Sequence, residues 1–186
     1  RIRTLAFLTL AAGFLCGSGC STTEIGPGAG NRGVAPRLQA PEDPVDLAYL
    51  GLAEGRTGFS VNEIEAEILI IEIFDMYCHY CQSSAIGCNA MFEMMAWKAP
   101  DRVVKMLGVG SGNTPLELET FRSEYDVPYP MVADRAMSVA LWLENKKIPA
   151  LIALRKTDGQ FRPYLRRVGT VSVGAAESFL ERALEP

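Results

Sequence analysis

Apolar residues along this chain follow two patterns, continuous apolar runs and recurrence at helical spacing. Together these patterns predict strands separated by helices. The run Ile68–Phe74 is almost wholly β-branched or aromatic, which is typical of a strand covered on both faces. After Cys78 this bias disappears, and large apolar residues recur at helical spacing until Pro100. We therefore expect a buried strand that leads directly into a helix.

The same alternation continues to the end of the chain. Asp158-Gly159 is a strong signal for a tight turn between antiparallel strands, and a short edge strand or hairpin is expected over 46–59. Further strands are predicted over 103–109, 128–133, 150–154 and 160–168, and further helices over 115–125, from a cap at Asp134 to 146, and over 173–184. The predicted fold class is α/β, with a central mixed sheet flanked by helices.

The first twenty residues have the layout of a secretory signal peptide. Two arginines precede an apolar run, Leu5–Leu15, and residues 17–19 are small. The run is shorter than the about 20 apolar residues of a membrane-spanning helix. We therefore interpret residues 1–20 as a signal peptide and Cys20 as a lipidation site of the bacterial lipoprotein type. Ordinary cleavage nearby, with Cys20 incidental, is the alternative.

The chain after Cys20 is expected to have two parts. Residues 21–44 are rich in Gly and Pro and show no apolar periodicity, which predicts a flexible linker. Residues 45–186 are expected to form one domain. This organisation predicts an exported protein of the bacterial cell envelope, held by a lipid anchor on the periplasmic side of a membrane.

Composition narrows the possible partners and chemistry. The chain has 18 Lys and Arg residues against 22 Asp and Glu residues, and it has no basic patch that could hold nucleic acid. Two of its five cysteines belong to the signal segment. The domain keeps Cys78, Cys81 and Cys88, too few for a disulfide-stapled scaffold, so the close pair indicates catalysis or metal binding.

The close pair forms the motif Cys78-His79-Tyr80-Cys81, at the junction between the predicted strand and helix. A helix N-terminus presents unpaired N–H groups and a partial positive charge, which stabilise a thiolate. Cys78 would then attack a substrate disulfide, and Cys81 would resolve the mixed disulfide. A cationic His79 would make the pair more oxidising; the alternative is a solvent-facing spacer with little effect.

Glu72 is the only charged residue inside the run Ile68–Phe74. Burial of a carboxylate without a partner is costly and raises its pKa. Glu72 lies six residues before Cys78 and on the same strand face as Phe74. It could therefore exchange a proton with Cys81 during resolution, through water if necessary. The alternative is an acid in a salt bridge at a sheet edge.

Other uses of a Cys-x-x-Cys motif fit the sequence less well. Structural zinc needs two further ligands, for which only His79 and Cys88 are at hand. Covalent haem attachment needs a histidine where Gln82 stands, and a peroxiredoxin would have threonine where Asp75 stands. We therefore expect no metal site. Cys88 is interpreted as a buried small hydrophobe rather than a third redox thiol.

The stretch Phe74–Gln82 resembles the active-site segment of the thioredoxin-like thiol–disulfide oxidoreductases. That family also has a buried acid six residues before its first cysteine, which Glu72 matches, and a cis-proline facing the cysteine pair, which Pro149 matches. The resemblance covers about residues 45–184 and implies a thioredoxin fold. The residues implied to contact substrate are Ile148, Pro149, Tyr77, His79 and Tyr80.

The resemblance leaves the branch of the family open. Gly108–Pro149 resembles the strand–helix insertion of the TlpA-type and redoxin branches, whereas the spacer residues are more similar to the DsbA and DsbC types. Disulfide reduction is the implied direction; a disulfide oxidase or isomerase, or a non-catalytic chaperone or assembly module, are the alternatives. The cysteine pair carries the electrons, so no cofactor is expected. The implied partners are cysteine-containing exported proteins and a membrane redox donor or acceptor.

Overall fold

The computed structural model describes residues 21–25 and 33–185, so the expected signal peptide and Cys20 lie outside the described residues. None of the helices in these two ranges is both long and apolar enough to cross a membrane. In chain order the elements are β1 (Thr22–Glu24), β2 (Arg37–Gln39), α1 (Pro44–Leu50), β3 (Gly58–Ser60), β4 (Ile68–Phe74), α2 (His79–Lys98), β5 (Val104–Ser111), α3 (Pro115–Tyr125), β6 (Met131–Asp134), α4 (Ser138–Trp142), β7 (Ala150–Thr157), β8 (Gln160–Val168) and α5 (Val173–Leu184).

The main sheet confirms the predicted α/β class. Its described strands lie in the order β1-β8-β7-β4-β5-β6, with β4 parallel to β5 and antiparallel to β7. β7 and β8 form the predicted hairpin, because Asp158 and Gly159 both adopt positive φ, 51° and 73°, as a tight hairpin turn requires. Every residue of β4 is buried, as its continuous apolar run predicts.

Helices cover both faces of this sheet. The crossovers from β4 to β5 and from β5 to β6 run in the same direction, so α2 and α3 lie on one face. Buried side chains of α2, α3 and α5 form one apolar core on that face. Side chains of α1, α4 and the β2–β3 pair form a second core on the other face.

The structure corrects the edge strand or hairpin expected over 46–59, because most of the first half of that range is helical. Asp43 caps α1 by accepting a hydrogen bond from a backbone N–H, and Pro44 opens the first turn. Gly51, with a φ of 74°, ends the helix in the left-handed conformation. Only Gly58–Ser60 is a strand, and it pairs with β2.

The structure also differs from the flexible linker expected over 21–44, because the described residues of that range contain two short strands. β1 pairs antiparallel with Leu165–Arg167 of β8, and β2 pairs with β3. Strands of three residues are too short to show a period-two pattern, so the sequence carries no signal for them. The rest of the expected linker, 26–32, lies outside the described residues.

The helix expected from Asp134 to 146 is only five residues long. Asp134 does cap it, because its carboxylate accepts hydrogen bonds from the backbone N–H groups of Ser138 (2.9 Å) and Val139 (2.8 Å). Glu144 adopts a left-handed φ of 51°, which is incompatible with a continuing helix. Residues 143–149 therefore form a loop that leads into β7.

α2 lies unusually close to the segment that precedes α5. A Cβ atom on Gly87 would lie only 2.1 Å from the carbonyl oxygen of Val171, so only glycine fits at this contact. One turn earlier, the Ser84 hydroxyl accepts a hydrogen bond of 3.0 Å from the Val171 N–H. This contact packs α2, the helix that begins at the Cys78–Cys81 motif, closely against the segment before α5.

We expect Gly87→Ala to destabilise the protein by about 1–3 kcal/mol, because the new methyl group meets backbone that cannot move aside. Gly174→Ala in α5 is the matched control, since a Cβ atom there meets nothing within 4 Å. The control should leave stability unchanged or raise it by about 0.4–1 kcal/mol. Urea unfolding of the two variants measures the difference, and equal midpoints would contradict the packing argument.

Candidate active site

The Cys78–Cys81 motif lies at the junction of β4 and α2, as the sequence predicts. Cys78 is the N-cap residue of α2, and its backbone N–H donates to the carbonyl of Asp75 at 3.0 Å. Its carbonyl in turn accepts hydrogen bonds from the N–H groups of Cys81 (2.9 Å) and Gln82 (3.0 Å). The motif is thus the first turn of a regular helix.

The two cysteines of the motif differ in access to solvent. Cys78 is partly exposed, whereas Cys81 is fully buried beneath it. Burial raises the pKa of the Cys81 thiol, and its hydrogen bond to the Cys78 sulfur raises that pKa further. A partner can therefore reach Cys78, while Cys81 keeps its proton in the interior.

Asn113 braces the turn that presents Cys78. This buried side chain accepts a hydrogen bond from the Met76 N–H (3.1 Å) and donates one to the Asp75 carboxylate (3.0 Å). Gly110 leaves the room it needs, because a Cβ atom there would lie 3.0 Å from the Asn113 amide oxygen. The sequence interpretation missed Asn113, whose only signal was its place in a glycine-rich loop after a predicted strand.

The residues around Cys78 that the resemblance assigns to substrate contact form an exposed rim. Tyr77, His79 and Tyr80 are all largely exposed. Tyr77 is nevertheless held in place, because its hydroxyl donates a hydrogen bond of 2.7 Å to the Glu117 carboxylate. This hydrogen bond raises the pKa of Tyr77, so the phenol stays protonated. The rim therefore offers apolar rings beside the partly exposed cysteine.

Pro149 and Ile148 lie next to this turn. The peptide bond between them is cis, as the resemblance implies. Ala150, the next residue, pairs with Ile73 at the end of β4, so Pro149 lies beside the strand end that leads to Cys78. The structure thus brings Cys78, Cys81, Ile148 and Pro149 to one end of the sheet.

Glu72 is buried in the centre of the sheet, which excludes the salt bridge at a sheet edge as an interpretation. Its strand has a neighbour on each side, and only 1% of the residue is exposed. The Tyr129 hydroxyl donates to one carboxylate oxygen at 2.6 Å, and the Cys88 thiol donates to the other at 3.3 Å. The carboxylate thus has two neutral donors.

These contacts change the interpretation of two residues. Cys88 is buried as expected, but its thiol is also a hydrogen-bond partner of the acid. Tyr129 was missed, because it precedes β6 and lies 57 positions away from Glu72 in sequence. Nothing in its local sequence indicates that its hydroxyl enters the core.

Burial determines the protonation of Glu72, Tyr129 and Cys88. It raises the pKa of Glu72, and the hydrogen bonds from Tyr129 and Cys88 oppose the rise only in part. Burial and the charge of Glu72 raise the pKa values of Tyr129 and Cys88 as well. Both groups therefore remain protonated donors. Nowhere among the described residues is a group of three His, Cys, Asp or Glu side chains arranged to hold a metal ion.

Comparison with known proteins bears on the fold. Neither a protein-family model nor a curated protein sequence matches this chain. Among solved structures, a DsbF homologue from Corynebacterium diphtheriae is 15% identical, with a TM-score of 0.61 over 97% of this chain and 99% of that one. A secreted thiol-disulfide isomerase from Corynebacterium glutamicum is 20% identical, with a TM-score of 0.56 over 70% and 78%.

A third similar structure is a secreted Mycobacterium tuberculosis disulfide oxidoreductase, which is 13% identical, with a TM-score of 0.53 over 68% of this chain and 89% of that one. Sequence identities this low show a shared fold. The protein therefore has the thioredoxin fold that the resemblance implies.

The buried carboxyl generates a prediction about stability and pH. Because the folded pKa of Glu72 lies above the ordinary value of 4.5, the folded state holds a proton that the unfolded state releases. Stability should therefore fall as pH rises from about 4.5 through the raised folded pKa, by about 1.4 kcal/mol for each unit of difference. Glu72→Gln should remove this dependence and be the more stable protein at neutral pH.

Chemical unfolding of both proteins between pH 4 and pH 9 measures this dependence. Glu93→Gln is the matched control, since Glu93 is an exposed carboxyl on the same helix as Cys88. It should follow the wild-type curve. A wild-type protein whose stability rises over this range relative to Glu72→Gln would show that the buried carboxyl is stabilised as an anion.

Proposed function

We propose that the protein is a thiol–disulfide oxidoreductase that reduces disulfides of exported proteins. The observation that carries this proposal is the arrangement of Cys78 and Cys81. One sulfur is open to solvent at a helix N-terminus, and the other lies buried behind it within hydrogen-bonding reach. This asymmetry suits a nucleophile that is followed by a resolving thiol.

The reaction proceeds by two exchanges at sulfur. The Cys78 sulfur, at the N-cap of α2, attacks one sulfur of a substrate disulfide as a thiolate. That S–S bond breaks, and the departing substrate sulfur takes up a proton. Cys81 then loses its proton and attacks the Cys78 sulfur, which releases the second substrate thiol. The substrate gains two electrons, and the protein is left with a Cys78–Cys81 disulfide.

Glu72 serves as the acceptor for the proton that Cys81 loses. The two groups interact electrostatically in the core, while the hydrogen bonds of Glu72 go to Tyr129 and Cys88. The proton therefore passes from Cys81 to Glu72 within the core, through water if necessary. A carboxyl whose pKa is raised by burial suits this task, because it holds a proton more readily than an ordinary carboxylate does.

Ile148, Pro149 and the rim residues receive the substrate. Ile148 and Pro149 place backbone beside Cys78, and Tyr77, His79 and Tyr80 offer exposed rings around it. The substrates are exported proteins with cysteines, and a membrane redox partner restores the dithiol. The protein is exported and held to the membrane by lipidated Cys20. The Corynebacterium glutamicum and Mycobacterium proteins of similar fold are secreted, in accord with export.

The experiment that tests the proposal is trapping of the mixed disulfide. We expect Cys81→Ser to accumulate covalent complexes with a disulfide-bonded model substrate, because the serine hydroxyl cannot attack the Cys78 sulfur. Non-reducing electrophoresis resolves these complexes. Cys88→Ser is the matched control, since it removes a buried thiol but keeps a donor to Glu72, and it should turn over like the wild type. A Cys78→Ala protein that is as functional as the wild type would instead identify a binding module.

The direction of electron flow is tested by the reduction potential of the Cys78–Cys81 pair, equilibrated against glutathione. The proposal expects a value near that of thioredoxin, about −270 mV. A value near about −120 mV would identify a disulfide oxidase or isomerase instead. In that case His79→Ala should make the pair more reducing, because it removes the imidazole that lies next to Cys78 in the motif.

Glu72→Gln provides a further expectation for the same reaction. The variant should still form the mixed disulfide through Cys78 but should resolve it about 100-fold more slowly, because the acceptor for the Cys81 proton is gone. Rapid mixing with a chromogenic disulfide separates the two steps. An unchanged resolution rate would assign Glu72 a purely structural role.

A further inference from the structure

Glu72 and Gly108 lie side by side on β4 and β5, and Gly108 leaves open the space that the Tyr129 ring occupies. A Cβ atom on Gly108 would lie 3.3 Å from Cε2 of the Tyr129 ring and 2.8 Å from Cγ of Met131. Any side chain at this position would crowd the tyrosine ring. Glycine on the neighbouring strand is therefore what lets the Tyr129 hydroxyl reach Glu72.

Tyr129 is held on both sides by its own chain. Pro128 and Pro130 flank it, and each proline ring restricts its own φ. The Pro130 carbonyl accepts a hydrogen bond of 2.9 Å from the Gly108 N–H, which ties this segment to β5. The Tyr129 ring is fully buried and packs against Phe92 of α2, with 5.7 Å between the ring centroids. The hydroxyl group is thus fixed at one point of the core.

The Glu72 carboxylate has one hydrogen-bond donor on each oxygen. The Tyr129 hydroxyl donates to Oε2 at 2.6 Å, and the Cys88 thiol donates to Oε1 at 3.3 Å. Both donors are neutral, so they stabilise the ionised carboxylate more than the protonated acid. The thiol is a weak donor. Tyr129 therefore provides the larger part of this stabilisation.

Few other titratable groups face Glu72. α2 contributes Cys81 besides Cys88, and Cys81 interacts with the acid electrostatically. β5, β7, α3 and α5 add no buried polar or charged side chain to this core, and no Lys, Arg or His among the described residues is buried. Tyr125 and Tyr164 border the same core, but their hydroxyl groups interact elsewhere. The ionised form of Glu72 thus depends on its two donors.

These donors bear on the resolving step, because Glu72 accepts a proton only while it is ionised. Burial favours the protonated acid, which has no place for the proton that Cys81 loses. The hydrogen bonds from Tyr129 and Cys88 act against burial and so keep the ionised form within reach.

We propose that Tyr129 is a positioning residue of the resolving step and acts through Glu72. Together with Cys88, it keeps the carboxylate ionised and fixed in orientation, ready for the proton of Cys81. The Cys81 sulfur then bonds to the Cys78 sulfur, the bond from Cys78 to the substrate breaks, and the departing substrate thiolate takes up a proton. Glu72 afterwards releases the proton that it accepted. This consequence rests on the proposed function, whereas the contacts of the carboxylate do not.

The test compares variants that remove or keep each donor. Tyr129→Phe removes the hydroxyl and keeps the ring. Cys88→Ala removes the thiol, whereas Cys88→Ser keeps a donor. Tyr164→Phe is the matched control, because it removes a hydroxyl from the border of the same core that donates to the Ala183 carbonyl instead of to Glu72.

Infrared spectroscopy of the reduced full chain follows Glu72 without any disulfide exchange. The carbonyl band of its protonated carboxyl is identified by its loss in Glu72→Gln, and titration of the band gives the pH at which half of Glu72 is ionised. We expect Tyr129→Phe to raise this midpoint by about one pH unit or more, since a hydrogen bond to a charged group is lost. Cys88→Ala should raise it by less, and Cys88→Ser and Tyr164→Phe should not raise it.

Rapid mixing with a chromogenic disulfide then measures the consequence. We expect Tyr129→Phe to slow resolution about tenfold at neutral pH, because the ionised fraction of Glu72 falls by that factor. The attack by Cys78 should be unchanged. The resolution rate should recover toward that of the wild type as the pH passes the raised midpoint, which Glu72→Gln should not do.

An unchanged midpoint in folded Tyr129→Phe would overturn the inference. Resolution slowed by the same factor at every pH, or a raised midpoint with an unchanged resolution profile, would also overturn the positioning role. If Tyr129→Phe does not fold, the midpoints of Cys88→Ala and Cys88→Ser decide, and equal values contradict the inference. A wild-type chain that exchanges no disulfide would refute the proposed function, while the infrared midpoints still decide whether the two donors keep Glu72 ionised.

Discussion

A carboxyl group inside the central strand is the constraint on which the site depends. β4 is buried along its whole length, so Glu72 is shielded from bulk solvent, and Tyr129 and Cys88 donate hydrogen bonds to its carboxylate. One acid thereby ties β4 to α2 and to the segment before β6. α2 carries Cys81 on the same buried face, and in such an interior electrostatic interactions are stronger than in water. The protonation of Glu72 and that of the Cys81 thiol are therefore linked.

The backbone around Cys78 is held in place by contacts other than those of Glu72. Cys78 is exposed, but the turn that presents it is held by Asn113 and by the helix that begins at Cys78. On the other side, Pro149 is fixed by the pairing of β7 with β4. In the proposed reaction, an exposed Cys78 sulfur on a fixed backbone would favour attack on the substrate from one direction.

Local signals predicted much of this, and long-range contacts account for the rest. The β7–β8 hairpin follows from Asp158-Gly159, and Glu72 stands out in the sequence as the one acid of an otherwise apolar strand. The helix α1 was missed although Asp43 and Gly51 mark both of its ends, because the glycines that follow suggested a hairpin. Asn113 and Tyr129 could not be predicted, since their roles arise only when segments distant in sequence meet. Strands β1 and β2, of three residues each, exist only by pairing with segments distant in sequence.

The short strand β1 also has a consequence for how copies of this protein behave toward one another. Within the described residues it covers Leu165–Arg167, which would otherwise offer open backbone groups at the border of the sheet. The part of β8 nearer the hairpin contains Pro163, which cannot donate a hydrogen bond, next to the exposed charge of Arg162. The opposite border, β6, is only four residues long. The fold thus protects both borders against strand addition, and a chain without residues 21–25 would be the form prone to aggregate.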